Sequence, residues 1–467
     1  MLRTGSPLTV QPILLYSISS RREQTSWRSW GGLHTEEDAA EEVRRISAEL
    51  ERLQCGANFE LTIKPVIKVR NVEEAERVRN DESYDVPIVY AASGWTTALE
   101  ACFSDGRPNL IFLRHKSGPI YLWYEIVHNR FLRQGNDTED LDEYRYPSGM
   151  TIDDVVVDDY EEMLTKLRAL YGVHNFMGRK IVALGGSSGW CNEQAPEIAR
   201  NKFSLDIVGI EYADLAKRIK SARSDAARMQ RAQQWAQRYL NLPETTLQTH
   251  EQFVINAFLL YDIFKDYLTA YDAAAFTIQD CMGTVMPISE TTACLPLSLL
   301  NDEGYLAFCE SDFNVIPSGI LLHYISGKPV FLNDPTFPHH GMVTVAHCTA
   351  PRRLDGEHYA HAQVVTHFES DYGATPKVEL PIGTPFTMVC PDAGQKKWLG
   401  FTGTIVDNPF YDICRSQFDI AIDGDWKKLL RDHRGFHWMM TLGDHSQEMA
   451  HACPKIGVEW LNVSQVG

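Results

Sequence analysis

The chain has 467 residues, with 62 acidic against 44 basic side chains and a formal net charge of −18. Hydrophobic residues at 44% and charged residues at 23% are ordinary globular usage and exclude a coiled coil, collagen or a disordered tail. A surface this acidic repels phosphate backbones and anionic headgroups, so neither nucleic acid nor a membrane surface is an expected partner.

The length predicts about three domains. The ten cysteines are scattered and include no C-x-x-C pair, which fits reduced, buried thiols and a cytoplasmic location. No apolar run approaches the ~18 residues of a membrane span. The apolar stretch 13–16 is cut off from 8–10 by Gln11 and Pro12. It is too short and polar for a signal peptide and reads as a first buried strand.

The first region, 1–150, alternates strand and helix. A strand at 13–17 leads to a helix over 35–53, N-capped by Thr35 with Glu36 and Glu37 in its first turn. Strand-like 59–69, helix 72–79, apolar strand 86–91, helix 96–103 and strand 109–113 follow. This β-α-β-α-β order predicts a parallel sheet with covering helices. The charge-rich segment 134–146 marks a boundary.

The second region, 151–273, predicts a helix over 153–170 and a strand over 180–186. A helix over 195–201, a strand over 205–210 and long helices over 213–240 and 251–271 complete it. The turn Gly185-Gly186-Ser187-Ser188-Gly189 reads either as a tight strand-to-helix turn or as a loop lining a substrate, with backbone N–H groups for an anion. The third region, 274–467, opens as α/β and changes to short strands with Gly/Pro turns. A small β-barrel or sandwich is expected over about 360–425. The fold class is therefore α/β.

Three segments of the third region carry chemistry. Each is an apolar strand that ends in a possible metal ligand. YLAFCESD brings Glu310 and Asp312, KPVFLND brings Asp334, and VTVAHC brings His347. Carboxylates on apolar strands are costly to bury without compensation. A divalent cation at the end of the sheet supplies it. His437, between aromatics in GFHW, offers a fourth ligand. Carboxylates mixed with imidazoles suit Mn, Fe or Mg better than structural zinc. Each residue alone also has a plain reading, as a helix cap or a satisfied core histidine. One cation explains all four positions together.

The region from about 277 to 463 resembles the C-terminal part of the L-fucose isomerase / L-arabinose isomerase superfamily. The resemblance rests on CESDFN, LNDPTF, VAHCTAPRRL, GTPFTMVCPDAGQKKWLGFTGTIV and GFHWMMTLGDH, in that order. It implies that Glu310 and Asp334 are the two carboxylates on a catalytic Mn2+ (alternatives Mg2+, Fe2+ or Co2+). His437 matches the late histidine, although Phe436 stands where the family has a first one. His347 matches a further ligand of the arabinose isomerase branch. The first 270 residues resemble the family in architecture, as two Rossmann-like α/β domains. The implied activity is aldose–ketose isomerisation of a monosaccharide or modified sugar through an enediol, by a homo-oligomer, a trimer or hexamer. Glu310 and Asp334 would exchange the proton between neighbouring carbons.

Substrate-facing candidates are Trp30, Tyr124, Glu125, His128 and Trp190, since aromatic faces stack on sugar C–H surfaces. Tyr121, Trp123 and Trp27 have the same character, and Arg114, His115 and Lys116 could meet an anionic substrate. Two alternatives remain open at this level. The same core serves an epimerase or a lyase on a sugar acid, and a non-catalytic sugar-binding protein needs no metal. A nicotinamide enzyme is disfavoured, because no dinucleotide fingerprint is present.

Overall fold

The computed structural model describes residues 5–124, 127, 132, 150–433 and 435–464. The chain divides into two compact units, one of residues 6–174 and one of residues 175–467 together with 1–5.

The first unit is built on a fully parallel sheet. Leu8–Leu15 is central, flanked by Leu61–Ile63 and Ile67–Val69 on one side and by Val86–Ala91, Leu110–Leu113 and Val155–Val157 on the other. Gln11 and Pro12 do not interrupt the first strand, contrary to the expectation from sequence. Pro12 falls where the neighbouring edge is broken between Ile63 and Ile67, so its missing N–H forfeits no ladder bond. The Gln11 side chain donates to the carbonyl of Pro65 in that gap. Helix Glu36–Gly56 starts at the expected cap, with Thr35 and Asp38 forming a reciprocal capping box. The helix expected over 153–170 is replaced by the edge strand Val155–Val157 and helix Tyr160–Phe176. Three consecutive β-branched residues favour the strand.

The second unit holds a four-stranded parallel sheet in the order Leu306–Phe308, Ala275–Ile278, Lys180–Leu184, Asp206–Ile210. Strands from either side of the expected boundary at residue 273 thus share one sheet. The long helix expected over 213–240 is two helices, Tyr212–Ser224 and Ala226–Leu240. Asp225 separates them, its carboxylate accepting from the N–H groups of Ala227 and Arg228.

The remaining strands close into a six-stranded antiparallel barrel. Its circuit runs Phe331–Pro335, Met342–His347, Ser416–Ile422, Lys397–Asp407, Pro385–Pro391, Trp438–Leu442 and back. The barrel is wider in sequence than the expected 360–425. Strands Ala362–Val365 and Thr375–Val378 lie outside it, in a small sheet with Thr245–Leu247. Phe386, Phe401, Phe418, Trp438 and Met440 are buried in the core cluster that includes the barrel. Among the described residues no helix is long and apolar enough to cross a membrane.

Candidate metal centre

Glu310, Asp334, His347 and His437 come together in the second unit. Glu310 lies two residues beyond the parallel strand Leu306–Phe308. The other three come from adjacent barrel strands. Asp334 lies in Phe331–Pro335, His347 ends Met342–His347, and His437 immediately precedes Trp438–Leu442. Register brings them to one rim, since Asp334 pairs with Ala346 and Asn333 with Trp438. The ends of one parallel sheet, expected from sequence, are thus replaced by one parallel strand end and a barrel rim.

His437 Nε2 lies 3.2 Å from Glu310 Oε2 and 3.2 Å from Asp334 Oδ1. His347 Nε2 lies 3.5 Å from Glu310 Oε1. Asp334, His347 and His437 each present one donor atom within 4.8 Å of the others, and so do Cys309, Glu310 and His347.

Asp312 holds the histidine in place. One of its oxygens stands 2.7 Å from His437 Nδ1, and the other accepts the N–H groups of Trp190 and Asn314. With Nδ1–H donated to Asp312, a neutral His437 turns its Nε2 lone pair on two carboxylates. That arrangement requires a positive charge at the shared point, which a cation or a second proton provides. Asp334 Oδ1, His347 Nε2 and His437 Nε2 are all buried without a hydrogen-bond partner. An orphaned buried polar atom costs about 1–3 kcal/mol. Three of them converging on one point fit a cation held by two carboxylates and two imidazoles.

The electrostatics of the chain itself express the same demand. Burial works against charge on both imidazoles, but the carboxylates override it. Glu310 and Asp334 hold His347 up at about 10, and Asp312 and Glu310 hold His437 up at about 9. Burial likewise opposes ionisation of Glu310, yet its two histidines keep it well below the usual carboxylate range. Asp334 goes the other way, pushed up by burial. The two carboxyls therefore differ in their hold on a proton.

The backbone at the centre is strained. Glu310 and Ser311 both lie in the left-handed region, at φ +65° and +46°, which costs a non-glycine residue about 1–2 kcal/mol. The turn at 185–189 holds this segment. Ser188 N–H and Oγ both donate to the Ser311 carbonyl, and Phe313 N–H donates to the Ser188 carbonyl. The N–H groups of Gly185, Gly186, Ser188, Trp190 and Cys191 are all bonded within the protein. The turn is therefore a clamp on the Glu310–Asp312 segment, with three of its own five N–H groups, those of Gly185, Gly186 and Ser188, committed within the protein. Its glycine is required at 185, where φ is +82° and a Cβ would fall 2.1 Å from the Tyr212 hydroxyl.

Trp190 stacks on Phe436 at 4.9 Å and meets the His437 ring edge-on at 5.8 Å. Both residues are about half exposed, at 59% and 47%, and form an apolar wall beside the centre. Phe436 thus takes a packing role at the position where a ligand pair would place its first histidine. Trp30 and Tyr124 belong to the first unit. Trp30 is exposed, and Tyr124 stacks on His115 at 4.1 Å. Glu125 and His128 lie outside the described residues. Tyr121 and Trp123 are buried and do not line a surface. Arg114 is not open to an anion, being fully buried in ion pairs with Glu42 and Glu49. The N–H groups of His115, Lys116 and Ser117 are occupied by the Asp158 carboxylate.

Sequence reasoning missed the orienting role of Asp312 and the clamp formed by Ser188. The available signal for Asp312 was a second acid two residues after Glu310 in an otherwise apolar stretch. No signal in the sequence marks Ser188, whose partner lies more than a hundred residues away. No protein-family model matches the chain, and no curated protein matches it.

Proposed function

We propose that the protein is a metal-dependent aldose–ketose isomerase acting on a monosaccharide or modified sugar. The observation that carries this reading is the placement of two carboxylates, Glu310 and Asp334, each 3.2 Å from one buried imidazole nitrogen. The likeness of CESDFN, LNDPTF and GFHW to the L-fucose / L-arabinose isomerase superfamily supports it, as does the pairing of parallel α/β sheets with a β-barrel. In this reading the parallel sheets represent the family's two Rossmann-like modules, and the chain works as a homo-oligomer.

Glu310, Asp334, His347 and His437 would hold the ion, with Mn2+ preferred and Mg2+, Fe2+ or Co2+ as alternatives. When bound, a divalent cation supplies Lewis-acid polarisation of the sugar carbonyl and offsets charge developing on its oxygens. The chain's own residues do the rest. Glu310 and Asp334 are the pair suited to move a proton between the neighbouring carbons of the open sugar. Asp312 keeps the His437 ring in one tautomer and orientation. Trp190 and Phe436 offer a flat apolar face to the C–H side of the sugar and screen the centre from water.

The test is metal analysis followed by a sugar screen. Protein prepared with Mn2+ is expected to retain one ion per chain and to interconvert at least one aldose–ketose pair, with exchange of the C2 hydrogen for solvent deuterium. No retained metal in wild type, or metal retained equally in a Glu310→Gln/His437→Ala variant, would sink the assignment.

A further inference from the structure

A second cluster of metal-ligating side chains lies one residue beyond His347 and shares no residue with the centre above. Cys294 is the first residue of helix Cys294–Asp302, Cys348 directly follows strand Met342–His347, and His367 follows strand Ala362–Val365. One donor atom from each lies within 4.8 Å of the other two. All three residues are at least nine-tenths buried, with 3%, 2% and 7% of their surface exposed.

Two independent observations separate this cluster from ordinary buried thiols. His367 Nδ1 is buried and has no hydrogen-bond partner, although a core imidazole normally satisfies both nitrogens. The Cys348 sulfur also accepts the backbone N–H of Arg415 at 3.5 Å, the kind of outer contact that steadies a ligating thiolate. Cys414, next to Arg415 in the chain, is brought towards Cys348 by that same contact.

We propose that Cys294, Cys348 and His367 form a binding site for a thiophilic closed-shell cation, zinc(II) or copper(I). Two sulfurs and an imidazole are a soft set that disfavours the hard cations suited to carboxylates. The geometry is close to what ligation needs. Donors at the corners of a triangle with that longest edge stand about 2.8 Å from its centre, and typical metal–sulfur and metal–nitrogen distances are ~2.3 and ~2.0 Å. A shift of about 0.5–0.8 Å per side chain closes the site. Binding releases the two thiol protons to solvent and uses a neutral His367. Copper(I) is satisfied by three donors, whereas zinc(II) takes a fourth, for which Cys414 is placed.

The test uses the full chain produced in medium supplied with cobalt(II), a spectroscopic stand-in for zinc, with zinc- and copper-supplied preparations alongside. Wild type is expected to show sulfur-to-cobalt charge transfer in the near ultraviolet, beyond any cobalt taken up by the carboxylate–imidazole centre. That band should be lost in Cys294→Ser and in His367→Ala but retained in Glu310→Gln. Affinity should fall by more than the roughly 10–100-fold that loss of an outer contact produces. Whichever of zinc or copper stays bound through dialysis identifies the cation. His367→Gln, read by the same band and by circular dichroism, replaces any variant that fails to fold. The proposal is overturned if wild type shows no thiolate band, if the band survives both ligand variants, or if Cys294 and Cys348 are recovered as a disulfide without metal. Because the band reports sulfur ligands only, its outcome is separate from that of the isomerase reading.

Discussion

Each of the two units buries a cluster of charged side chains, and the clusters are resolved differently. In the first unit Arg114, fully buried, is paired with Glu42 and Glu49. The Tyr121 and Tyr160 hydroxyls donate to the same two carboxylates, and Arg45 adds a further pair to Glu42. Every charge there has a partner within the chain. In the second unit Glu310, Asp334, His347 and His437 meet at 3.2–3.5 Å, with three buried atoms that make no hydrogen bond, around a point that calls for positive charge. The contrast teaches how to sort buried charge. A network that satisfies itself is a structural device, and one that leaves convergent atoms unsatisfied is built around something else.

The comparison can be broken in four ways, from the largest expected effect to the smallest. Glu310→Gln and Asp334→Asn are expected to lower turnover by ~10²–10⁴ while circular dichroism shows a folded chain. Unfolding of either variant would move the cluster into the structural class. Arg114→Met should do the opposite, destabilising the fold by about 3–5 kcal/mol because two carboxylates are left buried without their partner. Urea unfolding measures this, and a loss under ~1 kcal/mol would mean that the network is not what holds those charges. Asp312→Asn sharpens the contrast, since it removes no cation-facing atom. Calorimetric titration with Mn2+ should show affinity weakened by roughly 10–100-fold, and unchanged affinity would remove Asp312 from the centre.

The smallest effect concerns a further buried acid. Asp302 accepts the N–H of Arg353, but its second oxygen has no partner, and burial pushes it up to about 7. The folded protein thus holds this proton more tightly than the unfolded chain. Its contribution to stability is full below about pH 4 and is lost as pH rises to about 7. Melting temperature followed over that window should fall, and Asp302→Asn should flatten the slope. A wild-type slope that persists in the variant would assign it to other groups.

Much of the local structure was legible in the sequence where a single residue type decides the matter. Thr35 announces its helix because the hydroxyl and Asp38 satisfy each other across three residues. The strand-end positions of Glu310, Asp334 and His347 could be read because acids and histidines stand out after apolar runs. What was not legible depends on partners distant in sequence. Pro12 looks like a break until the gap between Ile63 and Ile67 is seen beside it. The barrel limits could not be read because Phe331–Pro335 and Trp438–Leu442 are about a hundred residues apart and adjacent only by register. Arg114 looks like a surface cation until Glu42 and Glu49 are placed on it.

The order in which the barrel strands occur along the chain has a consequence for biosynthesis. Trp438–Leu442 is the last of the six to be translated, yet it fits between two earlier strands, Phe331–Pro335 and Pro385–Pro391. Until the ribosome has made it, those strands present two open edges able to pair with other chains. The nascent protein then carries Glu310, Asp334 and His347 without His437, so the centre and the barrel are completed in the same step. A chain terminated before residue 437 would lack the fourth side chain of the centre and gain a sticky edge at once.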